Sequence, residues 1–284
     1  MQPTFEPLPA EQLAHSADHL GGPALKSRTF QCMGTVISLA LPAGAAPQET
    51  GRVLDGATAA VERVFASLDE VFSLYRPDSE ASRLARGEFT LRDASAAFRA
   101  RFADATGWRL LTEGCFTPER PDGVLDLSGI IKGYAIDQAA TALQVAGVED
   151  WCVNAGGDVL VSGSPAPGTG SPWLAGVVDP LDRGALLSGF PLGAAGRFAA
   201  LATSGTAERG DHIWRGGVGR ADFRRSAFRQ ASVVAADIVT ADVLATAVVA
   251  GGRPMLNWAT DSWDVEVLAV LGSGELLATP GFRA

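Results

Sequence analysis

Residues 126–137, DLSGIIKGYAID, decide how this chain is read. A helix is expected from about Ile130 to Val145, yet its opening turn holds Gly129, Lys132 and Gly133. Bulkier residues would pack better, and glycine inside a helix costs roughly 0.5–1 kcal/mol relative to alanine. Backbone N–H groups at a helix start lack intrahelical acceptors and attract anions. Two accounts are open. The turn is a seat for a phosphate, with an ammonium beside it, or it is a glycine-softened helix packed on a sheet with Lys132 in solvent. The P-loop pattern GxxxxGK[ST] is absent, which argues against an ordinary nucleotide triphosphatase.

Working outward, the sequence around this turn is globular. Apolar residues make up 47% of the 284, enough for a sizeable core, and charged residues only 19%, too few for a disordered chain. The formal net charge is -9, so nucleic acid and anionic lipid are not expected partners. Cys32, Cys115 and Cys152 are odd in number and widely spaced, which excludes CxxC zinc sites and a disulfide framework. They read as free thiols in a reducing compartment. The N-terminus is acidic and proline-punctuated, unlike a signal peptide, and no membrane span is expected. Together these point to a cytoplasmic protein.

Residues 1–27 read as a loosely ordered lead-in, and 28–284 as the folded part, in one unit or two lobes. Thr29 to Pro42 reads as a strand pair or bulged strand with Gly34 at the irregular point. Val53, Leu54, Ala57, Val61, Val64, Phe65, Leu68 and Phe72 recur in steps of three and four, predicting a helix over Thr50–Phe72. A polar loop enters a short helix near Leu84, and another helix spans about Ala94 to Leu111. WCVNAGGDVLVSG (151–163) is strand, glycine turn, strand; PWLAGVVDP, RFAALATSG and QASVVAA are further strands. Thr240 to Gly252 reads as a helix capped by Thr240 or Asp242 and stopped by glycines. The tail is a hairpin around GSG (272–274). Helices and strands mix without strict alternation, which is the mark of an α+β fold.

Four further groups carry potential chemistry. Asp242 and Thr246 share one helix face at i, i+4, and both are hard oxygen donors suited to Mg²⁺. They also suit a plain cap and a back-bonded threonine. Asn154 to Asp158 either forms a hairpin turn or walls a flat ligand. His212 stands beside Ser204, Gly205 and Thr206, as a structural histidine or a proton-handling one. Met33 and Tyr75 can sandwich a ring system, or simply pack, and Ser79 lies in the same polar stretch as Tyr75.

In order and spacing these stretches resemble the ApbE-type flavin transferases, from about Met33 to Gly252. FSLYRPDSEASRL is similar to that family's FS-x-Y…SE-x-x-x-L segment, and DLSGIIKGYAID to its D-x-SGI-x-KGYA-x-D signature. VNAGGD, PWLAGVVDP, ATSG, HI and AD-x-x-x-T follow in family order. The resemblance implies a mixed α/β architecture, rich in antiparallel sheet flanked by helices, with a cleft for FAD. It implies that Mg²⁺ bridges the FAD pyrophosphate, and that FMN passes to a threonine or serine of an acceptor flavoprotein with release of AMP. Carried over by residue, Gly129 offers its carbonyl to Mg²⁺, and Asp242 and Thr246 their side-chain oxygens. Lys132 lies near the diphosphate. Met33, Tyr75, Ser79, Asp126 and the turn Ala155, Gly156, Gly157, Asp158 line the flavin and adenosine pocket with Ser204 and Gly205. His212 contacts phosphate or moves the acceptor's proton; Asp242 is ligand or base. One departure stands out. The family continues HI as HI-x-DP-x-TG, whereas this chain has HIWRGGVG, with Arg215, Gly216 and Val218 replacing the usual residues. An FAD pyrophosphatase and a non-catalytic FAD-binding protein are therefore the alternatives.

Overall fold

The computed structural model describes residues 23–44, 46–194, 196–205 and 228–282. β1 (Leu25–Cys32) and β2 (Thr35–Pro42) pair along their full length, from Leu25↔Pro42 to Cys32↔Thr35. The two residues between them, Met33 and Gly34, both have positive φ (51° and 70°). That is the twist a two-residue hairpin needs. Ordered strand thus begins three residues inside the segment expected to be lead-in.

α1 (Pro47–Phe72) starts earlier than the expected Thr50, because a proline fits the first helical turn. Its stripe Leu54, Ala57, Val61, Phe65 and Phe72 is buried. α2 (Glu80–Ala85) is capped by Ser79, and α3 (Ala96–Leu111) by Ser95. α4 (Ser128–Val145) begins two residues before the expected Ile130. β3 (Trp151–Ala155) and β4 (Asp158–Ser162) form the glycine-turn hairpin. β5 (Trp173–Val178) pairs with β6 (Leu186–Leu192), a strand that sequence patterning missed because LLSGFPL carries a glycine and a proline. β7 (Ala200–Gly205), β8 (Phe228–Ala235), β9 (Glu266–Leu271) and β10 (Leu276–Ala278) complete the strands among the described residues.

Eight strands form one sheet in the order β1-β2-β3-β4-β7-β8-β9-β10, every neighbour antiparallel. Helices α1, α4 and α5 (Ile238–Ser262) cover one face, burying Phe65, Ile136, Leu143 and Leu244. The β5–β6 hairpin covers the other, where Phe190 meets Phe282 edge-on at 4.9 Å and packs with Trp173 and Phe198. β4 and β8 are therefore buried on both faces, which fits the apolar runs at 159–161 and 233–235. This is the α+β, antiparallel-rich architecture expected.

α5 corrects two expectations. Its cap is Asp237, whose carboxylate accepts the Thr240 N–H at 2.8 Å, so Asp242 lies inside the helix rather than at its start. The glycines kink the helix instead of stopping it. Gly252 adopts φ 66°, Pro254 follows, and the chain continues helical to Ser262. By length and composition α5 could cross a membrane, but 72% of its apolar window is buried inside the fold, as befits a core helix.

Candidate active site

The start of α4 is held by Asp126, whose Oδ1 accepts the Ser128 N–H at 2.9 Å, and by the Leu127 carbonyl, which accepts from Ile130 and Ile131. The two glycines of the opening turn have different reasons. A Cβ at Gly129 would stand 3.0 Å from the buried Phe116 ring. A Cβ at Gly133 would stand 3.2 Å from Asp242 Oδ2 and 3.3 Å from the Ile238 carbonyl. Gly133 is thus the contact point of α4 with α5, and its N–H donates to Asp242 Oδ2 at 3.0 Å. In a regular helix that N–H points at the carbonyl four residues back, here Gly129. Asp242 competes with that carbonyl for the N–H, and Gly129 lines the same cavity as Asp242.

Lys132 is not in solvent. Its Nζ makes a close ion pair with Asp158 Oδ2 and lies 3.6 Å from Asp242 Oδ1. Asp158 is fully buried; its Oδ1 accepts the Thr203 N–H at 3.0 Å. Among the described residues no hydrogen bond of ordinary geometry reaches Oδ2, and the ammonium is its partner. Two buried carboxylates share one cation. Burial pushes the Asp242 carboxyl up to about 7; Lys132 opposes the rise, Asp158 adds to it, and the Gly133 N–H opposes it.

One turn further along α5, Thr246 Oγ1 lies 2.9 Å from Ser204 Oγ at the end of β7. Its hydroxyl therefore engages the neighbouring strand, not the back-bond that the helix position suggested. Across the cleft, the β3–β4 turn has positive φ at Gly156 and Gly157 (62° and 97°), and Asn154 Oδ1 accepts the Gly157 N–H at 2.9 Å. A side chain at Gly156 would collide with Thr35.

These elements enclose a cleft of about 650 Å³. Asp126, Gly129, Lys132, Gly156, Gly157, Ser204, Gly205, Asp242 and Thr246 all line it. Other expected residues do not. Ala155 and Asp158 are fully buried behind the wall. Met33 sits in the β1–β2 turn, partly buried against the core, beside the cleft residue Gly34. Tyr75 is 88% exposed and outside the cleft lining. Ser79 is buried as a helix cap: its Oγ accepts the Ser82 N–H at 3.0 Å and donates to the Ser73 carbonyl at 2.5 Å. His212 and the altered HIWRGGVG segment lie outside the described residues. Sequence reasoning missed Phe116, Gln230 and Arg183, which also line the cleft. Arg183 had a signal in DPLDRG: Asp179 and Asp182 accept the Leu181 and Gly184 N–H groups, so this is a built turn at the cleft rim.

Among the described residues no group of three or more His, Cys, Asp or Glu gathers as a metal cage. The expected ligands are one carboxylate (Asp242), one hydroxyl (Thr246) and one main-chain carbonyl (Gly129), with Asp158 as a second carboxylate behind Lys132. That oxygen set suits Mg²⁺, which keeps waters and substrate oxygens and needs few protein ligands.

The sequence profile of the ApbE family matches residues 118–269, more than half of the chain. The chain belongs to the ApbE family. The match holds Gly129, Lys132, Asp158, Asp242 and Thr246 and excludes Met33, Tyr75 and Ser79. No curated protein matches this ApbE-family chain by sequence. Among solved structures it is similar to the flavin transferase ApbE from Vibrio cholerae in a histidine-to-glycine variant: 22% identity, TM-score 0.68, covering 92% of this chain and 99% of that one. It is also similar to the ApbE protein from Thermotoga maritima (19%, TM-score 0.72, 92% and 98%). A third is the apo flavinyl transferase ApbE from Pseudomonas stutzeri (18%, TM-score 0.70, 93% and 98%). At these identities the likeness is one of fold, and the ApbE architecture is shared over nearly the whole chain.

Proposed function

We propose that the protein is a Mg²⁺-dependent FAD:protein FMN transferase. It cleaves the FAD pyrophosphate and joins FMN through a phosphoester bond to a threonine or serine hydroxyl of an acceptor flavoprotein, and AMP leaves. One observation carries this: Gly129 on α4, and Asp242 and Thr246 more than a hundred residues later on α5, come to one cavity together with Lys132. A cavity of about 650 Å³ is within the range of roughly 300–1,000 Å³ usual for small-molecule sites.

The Gly129 carbonyl, Asp242 and Thr246 would hold Mg²⁺, which when bound neutralises the diphosphate charge and the charge that grows on departing AMP. The chain's own residues do the rest. Lys132 supplies an ammonium beside the diphosphate. Gly156 and Gly157 let the ligand approach the main chain closely. The acceptor oxygen forms a bond to the phosphorus on the FMN side as the bond to the AMP oxygen breaks. The hydroxyl proton goes to a base, which is His212 where Asp242 serves as cation ligand. Met33 and Tyr75, which lie outside the cleft lining, would border the flavin where it extends past the cleft.

Mass spectrometry of an acceptor domain incubated with the protein, FAD and Mg²⁺ tests this. The expected result is a gain equal to one FMN residue, abolished by Asp242→Ala. FMN and AMP released without acceptor modification would establish a pyrophosphatase. FAD retained intact would establish a binding protein.

A further inference from the structure

We propose that Asp158 is a positioning residue whose task is to hold the Lys132 ammonium off Asp242, leaving that carboxylate open to a divalent cation. The proposal rests on the cation site assigned above. Three observations support it. Lys132 is closer to Asp158 than to Asp242, although it reaches both. Asp158 is immobilised: it follows the Gly156–Gly157 turn, is fully buried, and is tied through Oδ1 to the Thr203 main chain. Among the described residues its other oxygen has no hydrogen bond of ordinary geometry, and it is paired with the Lys132 ammonium.

The charge count gives the reason. Lys132 and Asp242 alone would form a neutral pair, and a neutral pair holds a divalent cation poorly. With Asp158 present and Asp242 ionised, the three side chains sum to one negative charge, and the lysine has a second carboxylate to rest on when a cation takes Asp242. Buried ammonium groups need such a partner, because an unpaired buried charge is strongly destabilising. The lysine is then kept within reach of an incoming diphosphate instead of being expelled by the metal. A glycine turn followed directly by aspartate at the head of β4 is what fixes this geometry.

The test uses the full chain, without FAD, and Mn²⁺ as the probe, with binding read by electron paramagnetic resonance and calorimetry. Asp158→Asn is close to isosteric. It lets Lys132 settle on Asp242, and Mn²⁺ affinity is expected to fall at least about tenfold. The double variant Lys132→Met with Asp158→Asn removes one charge of each sign. It is expected to recover affinity to within a few-fold of the unaltered protein, because the blocking ammonium is gone. Circular dichroism confirms that both fold. Unchanged affinity in Asp158→Asn overturns the proposal. So does a loss that the double variant does not repair, since Asp158 would then act through its own charge and not through Lys132. Absence of Mn²⁺ binding in the unaltered protein is a different failure: it removes the cation site itself.

Discussion

Replacing Gly133 by alanine sets two effects of opposite sign against each other. Alanine in a helix interior gains roughly 0.5–1 kcal/mol over glycine. At Gly133, however, the new Cβ would sit 3.2 Å from Asp242 Oδ2, 3.3 Å from Asp242 Cβ and 3.3 Å from the Ile238 carbonyl. None of these atoms is the free end of a flexible chain. Ile238 opens α5, and the Asp242 carboxylate is held by the Gly133 N–H and by Lys132. Overpacking of this kind costs about 1–3 kcal/mol. Pushing α4 and α5 apart by a few tenths of an ångström also weakens a charge-assisted hydrogen bond, a class worth about 1.5–3 kcal/mol when intact. The net expectation is a loss of about 2 kcal/mol, or a drop in Tm of about 4–8 °C for a chain of this size. Gly56→Ala is the control. It lies in α1, is exposed, and a Cβ there meets nothing within 4 Å. That change should stabilise by roughly 0.5–1 kcal/mol. Urea unfolding and thermal melts of both variants measure the difference, and Mn²⁺ affinity should fall only in Gly133→Ala. If the two substitutions stabilise equally, the account of Gly133 as the α4–α5 contact beside the site is wrong.

Ser79→Ala removes the cap of α2 and should cost about 1–2 kcal/mol by denaturant titration while FAD affinity holds; a selective loss of FAD binding would return Ser79 to the pocket. Tyr75→Ala should leave stability within about 0.5 kcal/mol, since the ring is exposed, yet weaken FAD about fivefold by fluorescence titration; an unchanged Kd would place the ring away from the flavin. Burial pushes the Cys152 thiol from 9.0 to about 12, so at pH 8 its thiolate fraction, and its rate of alkylation, should be about a thousandfold below an ordinary cysteine. The raised value also has a sign for stability. Between about pH 9 and 12 the unfolded chain releases this proton and the folded chain keeps it, so stability should fall as pH rises through that window, and Cys152→Ala should flatten the slope.

Local chemistry explains which parts of the structure were legible in sequence. The hairpin at Gly156–Gly157 showed because its turn needs positive φ, which glycine supplies, whereas at Met33–Gly34 the single glycine left a strand pair and a bulged strand both open. α1 showed because its apolar stripe keeps the helical period from Leu54 to Phe72, about five turns. β6 did not, since its Gly189 and Pro191 resemble loop residues until the two-stranded pairing with β5 is known. Nor did the cap of α5, because Asp237, Thr240 and Asp242 are all plausible caps and only the backbone chooses. The site divides along the same line. The i, i+4 pair Asp242 and Thr246, and the lysine in a glycine-flanked helix start, were visible as candidates from spacing and donor type. Their partners were not. A glycine in a sequence records only that a Cβ is unwelcome; what it makes room for depends on a residue elsewhere. For Gly133 that residue is 109 positions away, and the room is filled by a carboxylate of the protein itself. For Lys132 the deciding neighbour, Asp158, looked like part of a ligand wall because it follows two glycines. Packing shows it facing inward, toward the lysine. The opening turn of α4 is therefore shaped first by what the protein must hold in place, and the ligand meets the surface that results.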